Sequence, residues 1–109
     1  MLNPFQKMIE SQLEGVQQQM AEAADELRAT EVVGSAGGGA VKVTVTGLGE
    51  VLDVGIDPQV LSEGDCELLQ DLVCAGVRQA LRKASELKRR KLMDALPLAG
   101  MGMDLPEIL

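Results

Sequence analysis

The sequence predicts an α+β domain in which a long N-terminal helix leads into a three-stranded antiparallel β-meander and a long C-terminal helix follows. Changes of hydrophobic period predict it. Apolar residues recur every three or four positions up to about Glu31, alternate with polar ones from Val41 to Thr46, and return to helical spacing after Asp65. A length of 109 residues is enough for one modest core and is below the size at which cores usually split. With 46% apolar and 25% charged residues the composition is globular, and because Phe5 is the only aromatic, that core must be built from aliphatic side chains.

The first helix is expected from about Pro4 to Glu31. Ile9, Leu13, Val16, Met20, Ala23 and Leu27 follow at spacings of four and three, a heptad-like seam that suits helix pairing as well as core packing. Pro4 fits the first turn, where its missing N–H costs nothing. Gly15 is the weak point, costing about 1 kcal/mol relative to alanine in a helix interior. Val32-Val33, the glycine-rich stretch from Gly34 to Gly39, and Val41, Val43 and Val45 alternating with Lys42, Thr44 and Thr46 read as a hairpin. Gly47-Leu48-Gly49 then turns the chain into Val51, Leu52, Val54 and Ile56, which gives the sheet one valine-rich face. Three strands leave two edges, which helices must cover or a second chain complete.

Asp57-Pro58 ends the last strand, with Asp57 in a turn or capping role. Ser62-Glu63-Gly64-Asp65 offers a hydroxyl N-cap with acids in the first turn. The second long helix is expected from about Asp65 to Met93, with Gly76 tolerated inside it. Residues 1–95 therefore read as a single domain. Residues 96–109 mix Pro, Gly and Met without periodicity and read as a mobile tail.

Several chemistries are excluded by missing residue types. Without His, Trp or Tyr there is no histidine-based triad, no His-ligated zinc and no aromatic platform for single-stranded nucleic acid. The glycine-rich stretch lacks a following Gly-Lys-Ser/Thr and joins two strands, so it is a hairpin and not a phosphate loop. Asp53 and Asp57 fit a strand and its turn better than a catalytic carboxylate pair. No enzymatic activity, cofactor, metal or small-molecule substrate is expected. Cys66 and Cys74 lie eight residues apart on one helix, about 12 Å along its axis, too far for a disulfide between them. Both read as small apolar fillers, reduced in a cytosol. No apolar run approaches the roughly eighteen residues of a membrane span, and the N-terminus lacks a basic segment followed by an apolar one. A cytoplasmic chain without a membrane partner is expected.

The distribution of charge points to a partner. Seventeen acids and ten bases give a net charge of −7. Yet from Arg78 to Lys91 there are seven bases, Arg78, Arg82, Lys83, Lys88, Arg89, Arg90 and Lys91, and one acid, Glu86. On a wheel of about 100° per residue with Arg78 at zero, Leu69, Val73, Val77, Ala80, Ala84 and Leu87 fall between roughly 180° and 260°, with Cys66 on the same stripe. Arg78, Arg82 and Arg89 fall on the opposite side at roughly 0° to 40°, and Lys83 and Arg90 on a flank near 120° to 140°. The helix macrodipole favours bases near a helix end, each worth about 0.3 to 1 kcal/mol, and Glu86 is spaced to pair with Arg82 or Arg90. A dipole effect confined to the last turn does not call for Arg78 or Arg82. A phosphate-bearing partner does, because arginine bonds phosphate bidentately and binding releases the counterions condensed on a duplex. A competing assignment is a protein-interaction adaptor that grips another protein with its amphipathic helices and Met-containing tail.

Several strings resemble the YbaB/EbfC family of bacterial nucleoid-associated proteins: the Gln-, Met-, Glu- and Ala-rich segment Met8–Leu27; Glu31-Val32-Val33-Gly34 through Val41-Lys42-Val43-Thr44-Val45-Thr46-Gly47; Val54-Gly55-Ile56-Asp57-Pro58; and Glu67-Leu68-Leu69-Gln70-Asp71-Leu72-Val73. The resemblance covers roughly residues 4 to 103. It implies a homodimer in which two sheets pack together and the helices project as tweezer-like arms. It also implies a non-enzymatic association with double-stranded DNA in the nucleoid. The family's DNA contacts are attributed to its helical arms, which here match Arg78, Arg82, Lys83, Lys88, Arg89, Arg90 and Lys91. The first helix carries only Lys7 and Arg28 against Glu10, Glu14, Glu22, Asp25, Glu26 and Glu31.

Overall fold

In a computed structural model of the chain, residues 3–95 are described, so the expected tail at 96–109 lies outside them. The element order is α1 (Pro4–Ala29), β1 (Glu31–Ala36), β2 (Val41–Thr46), β3 (Val51–Ile56), α2 (Pro58–Ser62) and α3 (Cys66–Ala95). The expected α+β architecture is therefore present, with the sheet in the order β1-β2-β3 and both pairings antiparallel.

Local chemistry sets the helix boundaries. Asn3 caps α1: its side-chain oxygen accepts from the Gln6 amide at 2.7 Å, and Gln6 returns the bond to the Asn3 amide, a capping box that satisfies two otherwise orphaned donors. Thr30 stops the helix, and the chain is pinned where the Gly47 amide donates to the carbonyls of Leu27 at 2.9 Å and Thr30 at 3.0 Å. The approach to α3 differs from the sequence expectation. Asp57 accepts from the Gln59 amide and starts the short helix α2, whose end consumes Ser62: its hydroxyl donates to the Gln59 carbonyl. Asp65 and not Ser62 then caps α3, accepting from the Leu68 amide at 3.0 Å.

The core lies between α3 and the sheet. Val41, Val43 and Val45 of β2 are fully buried beneath Ala80 and Ala84, with Val32, Ile56, Leu72, Val73 and Val77 packed around them. The packing distance is set by small residues. A Cβ at Gly34 would fall 2.7 Å from both the Ala80 Cα and the Gly76 carbonyl oxygen, and one at Gly76 would press on Val43 at 3.1 Å. Gly76 does not break α3, which runs without interruption past it as a buried contact point.

Helix α3 packs on β1 and β2 and leaves β3 almost uncovered. Val51, Leu52 and Val54 of β3 are consequently 51%, 53% and 39% exposed, although the register puts Val54 beside buried Val43. A bulge opposite Thr44 and Val45 leaves Leu52 outside the pairing. Helix α1 runs against α3 only over its second half. Among the described residues Ala23 and Leu27 are buried, Val16 and Met20 half-buried, and Ile9 and Leu13 exposed along a groove that reaches Asp94 and Ala95 at the end of α3; the extents are about 71 × 25 × 17 Å.

Both cysteines are exposed, which corrects their assignment as core fillers. Cys66 stands at the first residue of α3, and Cys74 faces outward one turn before Arg78.

This packing makes two glycines respond oppositely to the same change. Gly34→Ala should destabilise the fold by about 3 kcal/mol, as expected for overpacking against a backbone that cannot yield. Nothing lies within 4 Å of a Cβ added at Gly15, so Gly15→Ala should gain up to about 1 kcal/mol. Urea unfolding at matched protein concentration checks both.

Candidate nucleic-acid interface

The cations singled out by sequence all lie on α3, from its middle to within one turn of its end, and the structure divides them by environment. Arg78, Arg82, Lys88, Arg89 and Arg90 are exposed and have no carboxylate partner among the described residues. From Arg78 to Arg90 they extend about 18 Å along the helix axis, close to the rise of five base pairs of duplex. Arg78 donates to the Cys74 sulfur at 3.3 Å, a weak contact that leaves the rest of its guanidinium to solvent. The ion pairs of Glu86 with Arg82 or Arg90 that the spacing allows are not formed among the described residues.

Two members of the set are engaged elsewhere. Lys83 reaches sideways to the sheet, where its ammonium donates to the Val33 carbonyl at 3.1 Å. Lys91 is turned towards α1 and pairs with Glu26. Lys91 falls near 220° on the helical wheel that puts Arg78 at zero, inside the apolar stripe, so its direction towards α1 was readable from spacing.

The macrodipole does not explain this run of bases. The last turn of α3 holds no basic residue and includes Asp94, so the cations stop short of the segment where the dipole acts. The acids are concentrated elsewhere: Glu67 and Asp71 at the start of α3, and Glu10, Glu14, Glu22, Asp25 and Glu26 along α1. On α1, Arg28 is paired with Asp25 at 3.0 Å.

No helix among the described residues is long and apolar enough to cross a membrane. Ser85 is a polar group that the charge pattern passed over. It is exposed at roughly 340° on the same wheel, beside the Arg78 direction and between Arg82 and Arg89 along the helix, and offers a hydroxyl donor.

The sequence model of the YbaB/EbfC DNA-binding family matches residues 3–101. The chain belongs to this family. Among YbaB/EbfC relatives, a nucleoid-associated protein of Dictyoglomus turgidum is 45% identical over 101 residues, covering 90% of this chain and 95% of its own. A nucleoid-associated protein of Rhodococcus erythropolis is 44% identical over 104 residues, covering 94% and 90% respectively. A solved structure of an uncharacterized protein from Helicobacter pylori has a similar fold, with a TM-score of 0.73 at 22% identity over 86% of this chain and 97% of that one.

The Glu26–Lys91 pair joins the two arms of this YbaB/EbfC chain at its surface, the side chains being 61% and 39% exposed. Exposed pairs of this kind contribute under about 1 kcal/mol. Glu26→Gln should therefore lower stability only slightly, and the difference from the parent protein should vanish at about 1 M salt, where screening is complete within a few ångströms. Urea midpoints at low and high salt test this.

Proposed function

We propose that this chain is a nucleoid-associated, non-enzymatic protein that binds duplex DNA through its phosphates, using the outward row Arg78, Arg82, Lys88, Arg89 and Arg90. The single observation that carries the reading is the cluster itself: five exposed cations with no carboxylate partner among the described residues, Arg78, Arg82 and Arg89 on the outward face of α3 and Lys88 and Arg90 on its two flanks, in a chain of a DNA-binding family. The names of its relatives support a nucleoid location. Ser85 adds a neutral donor within the row. Lys83 and Lys91 take a smaller share, since each must leave an existing partner to reach a phosphate.

The working unit in this reading is a homodimer formed through β3. The strand presents Val51, Leu52 and Val54 to solvent beside an open backbone edge, and pairing with a second copy would bury that surface and complete the sheet. Two copies would then present two basic rows. The acidic α1 surfaces repel the duplex and direct it to those rows. Phosphate contacts alone give no sequence preference.

A protein-docking role is the second reading, favoured by the exposure of Phe5, Met8, Ile9 and Leu13 along the N-terminal half of α1.

Anisotropy titrations with duplex DNA over a salt series distinguish the two. The Arg78→Ala, Arg82→Ala, Arg89→Ala, Arg90→Ala variant should lose at least tenfold in affinity. Its log–log salt slope should flatten by about 0.9 for each phosphate contact removed. Unchanged affinity and slope in a folded variant would remove the row from the site, and no binding by the parent protein at low salt would favour the docking role. Light scattering tests the pairing: the parent should run at twice the 11.6 kDa chain mass, and Val54→Asp should run as a single chain.

A further inference from the structure

A three-stranded sheet offers two edges to a partner, and in this molecule they are treated differently. Along the free side of β1, the Ser35 amide donates to Gln79 Oε1 at 2.6 Å and the Val33 carbonyl accepts from Lys83 Nζ at 3.1 Å. Val33 and Ser35 are alternate residues, so their backbone groups point the same way, away from β2, where an added strand would have to bond. Gln79 and Lys83 are four residues apart on α3 and so lie one above the other on a single flank of the helix. They reach the edge because glycine at position 34 lets α3 lie directly on β1. At β3, by contrast, no side chain among the described residues bonds to the outer edge, and Val51, Leu52 and Val54 are exposed.

We infer that Gln79 and Lys83 guard the β1 edge, so that a second copy of this chain can pair only through β3 and assembly stops at two. The inference rests on the β3 homodimer proposed above and adds what limits it. Pairing β3 with β3 uses the same surface on both copies and closes. Pairing β3 of one copy with β1 of another uses different surfaces, leaves a fresh β3 and β1 at the ends, and propagates without limit. Two side chains occupying the β1 donor and acceptor remove the second route. Lys83 also brings a cation to the edge, a common means of blocking strand addition.

The test is light scattering across a concentration series on the full chain, with circular dichroism to confirm folding. The parent protein should hold at twice the chain mass. Gln79→Ala, Lys83→Ala should shift to larger, concentration-dependent species, and adding Val54→Asp to that variant should abolish them, because the propagating contact also uses β3. Gln79→Glu, Lys83→Arg keeps an acceptor and a donor at the same positions and should remain at two chains. If the double-alanine variant is folded yet stays at two chains at every concentration, the guard is refuted while the β3 dimer stands. A parent protein that runs as a single chain overturns both.

Discussion

The arrangement of the molecule depends on how closely α3 lies against the sheet. Gly34 and Gly76 meet with no side chain between them, and Ala80 and Ala84 continue the contact over Val43 and Val45. Helix and sheet can approach this closely only where methyl groups or hydrogens face each other; each larger side chain would lift the helix and open voids that a small aliphatic core cannot tolerate. Because the glycine is on β1, the helix is held over β1 and β2. The same contact therefore leaves β3 uncovered and brings Gln79 and Lys83 to the opposite edge. It also turns the face carrying Arg78, Arg82 and Arg89 away from the core.

The electrostatics follow from that orientation. A chain with net charge −7 repels polyanions at long range, but the molecule is about 71 Å long, and at physiological ionic strength charges are screened beyond about 8 Å. A local surplus of cations on α3 is thus felt by a phosphate nearby even though the whole is acidic. The cost is mutual repulsion among the arginines, which in the proposed function a bound duplex would relieve. Lys91 marks the inner limit of the α3 run, since among the described residues it is the cation of that run that pairs with an acid.

Most of the fold was legible because period and punctuation agree. The spacing from Ile9 to Leu27, the Val41–Thr46 alternation and the Asp57-Pro58 break each specify their element locally, and α1, β2 and α3 formed within two residues of the expected ends. What was not legible came from competition between neighbouring signals or from tertiary placement. Ser62 and Asp65 are both good caps, and only the short α2 turn decides between them. That the sheet keeps an open edge was legible from its three strands, but which edge α3 leaves uncovered depends on where that helix lies, which rests on Gly34. The basic run was visible as seven residues, and the inward direction of Lys91 followed from its place on the apolar stripe, but the engagement of Lys83 needed the edge of β1. Cys74 was misread because burial was inferred from residue type, whereas α3 turns it to solvent; Cys66 lies on the apolar stripe but at the first residue of α3, and is exposed there.

The central claim is that the outward face of α3 holds the duplex while α1 does not. Titration of the isotopically labelled chain with a short DNA duplex, followed by amide chemical shifts at low and raised salt, tests it most directly. The account predicts salt-sensitive shifts concentrated at Arg78, Arg82, Ser85, Lys88, Arg89 and Arg90, with the acidic face of α1 around Glu10, Glu14 and Glu22 unperturbed. Shifts centred on α1, with the α3 row unchanged, would contradict it.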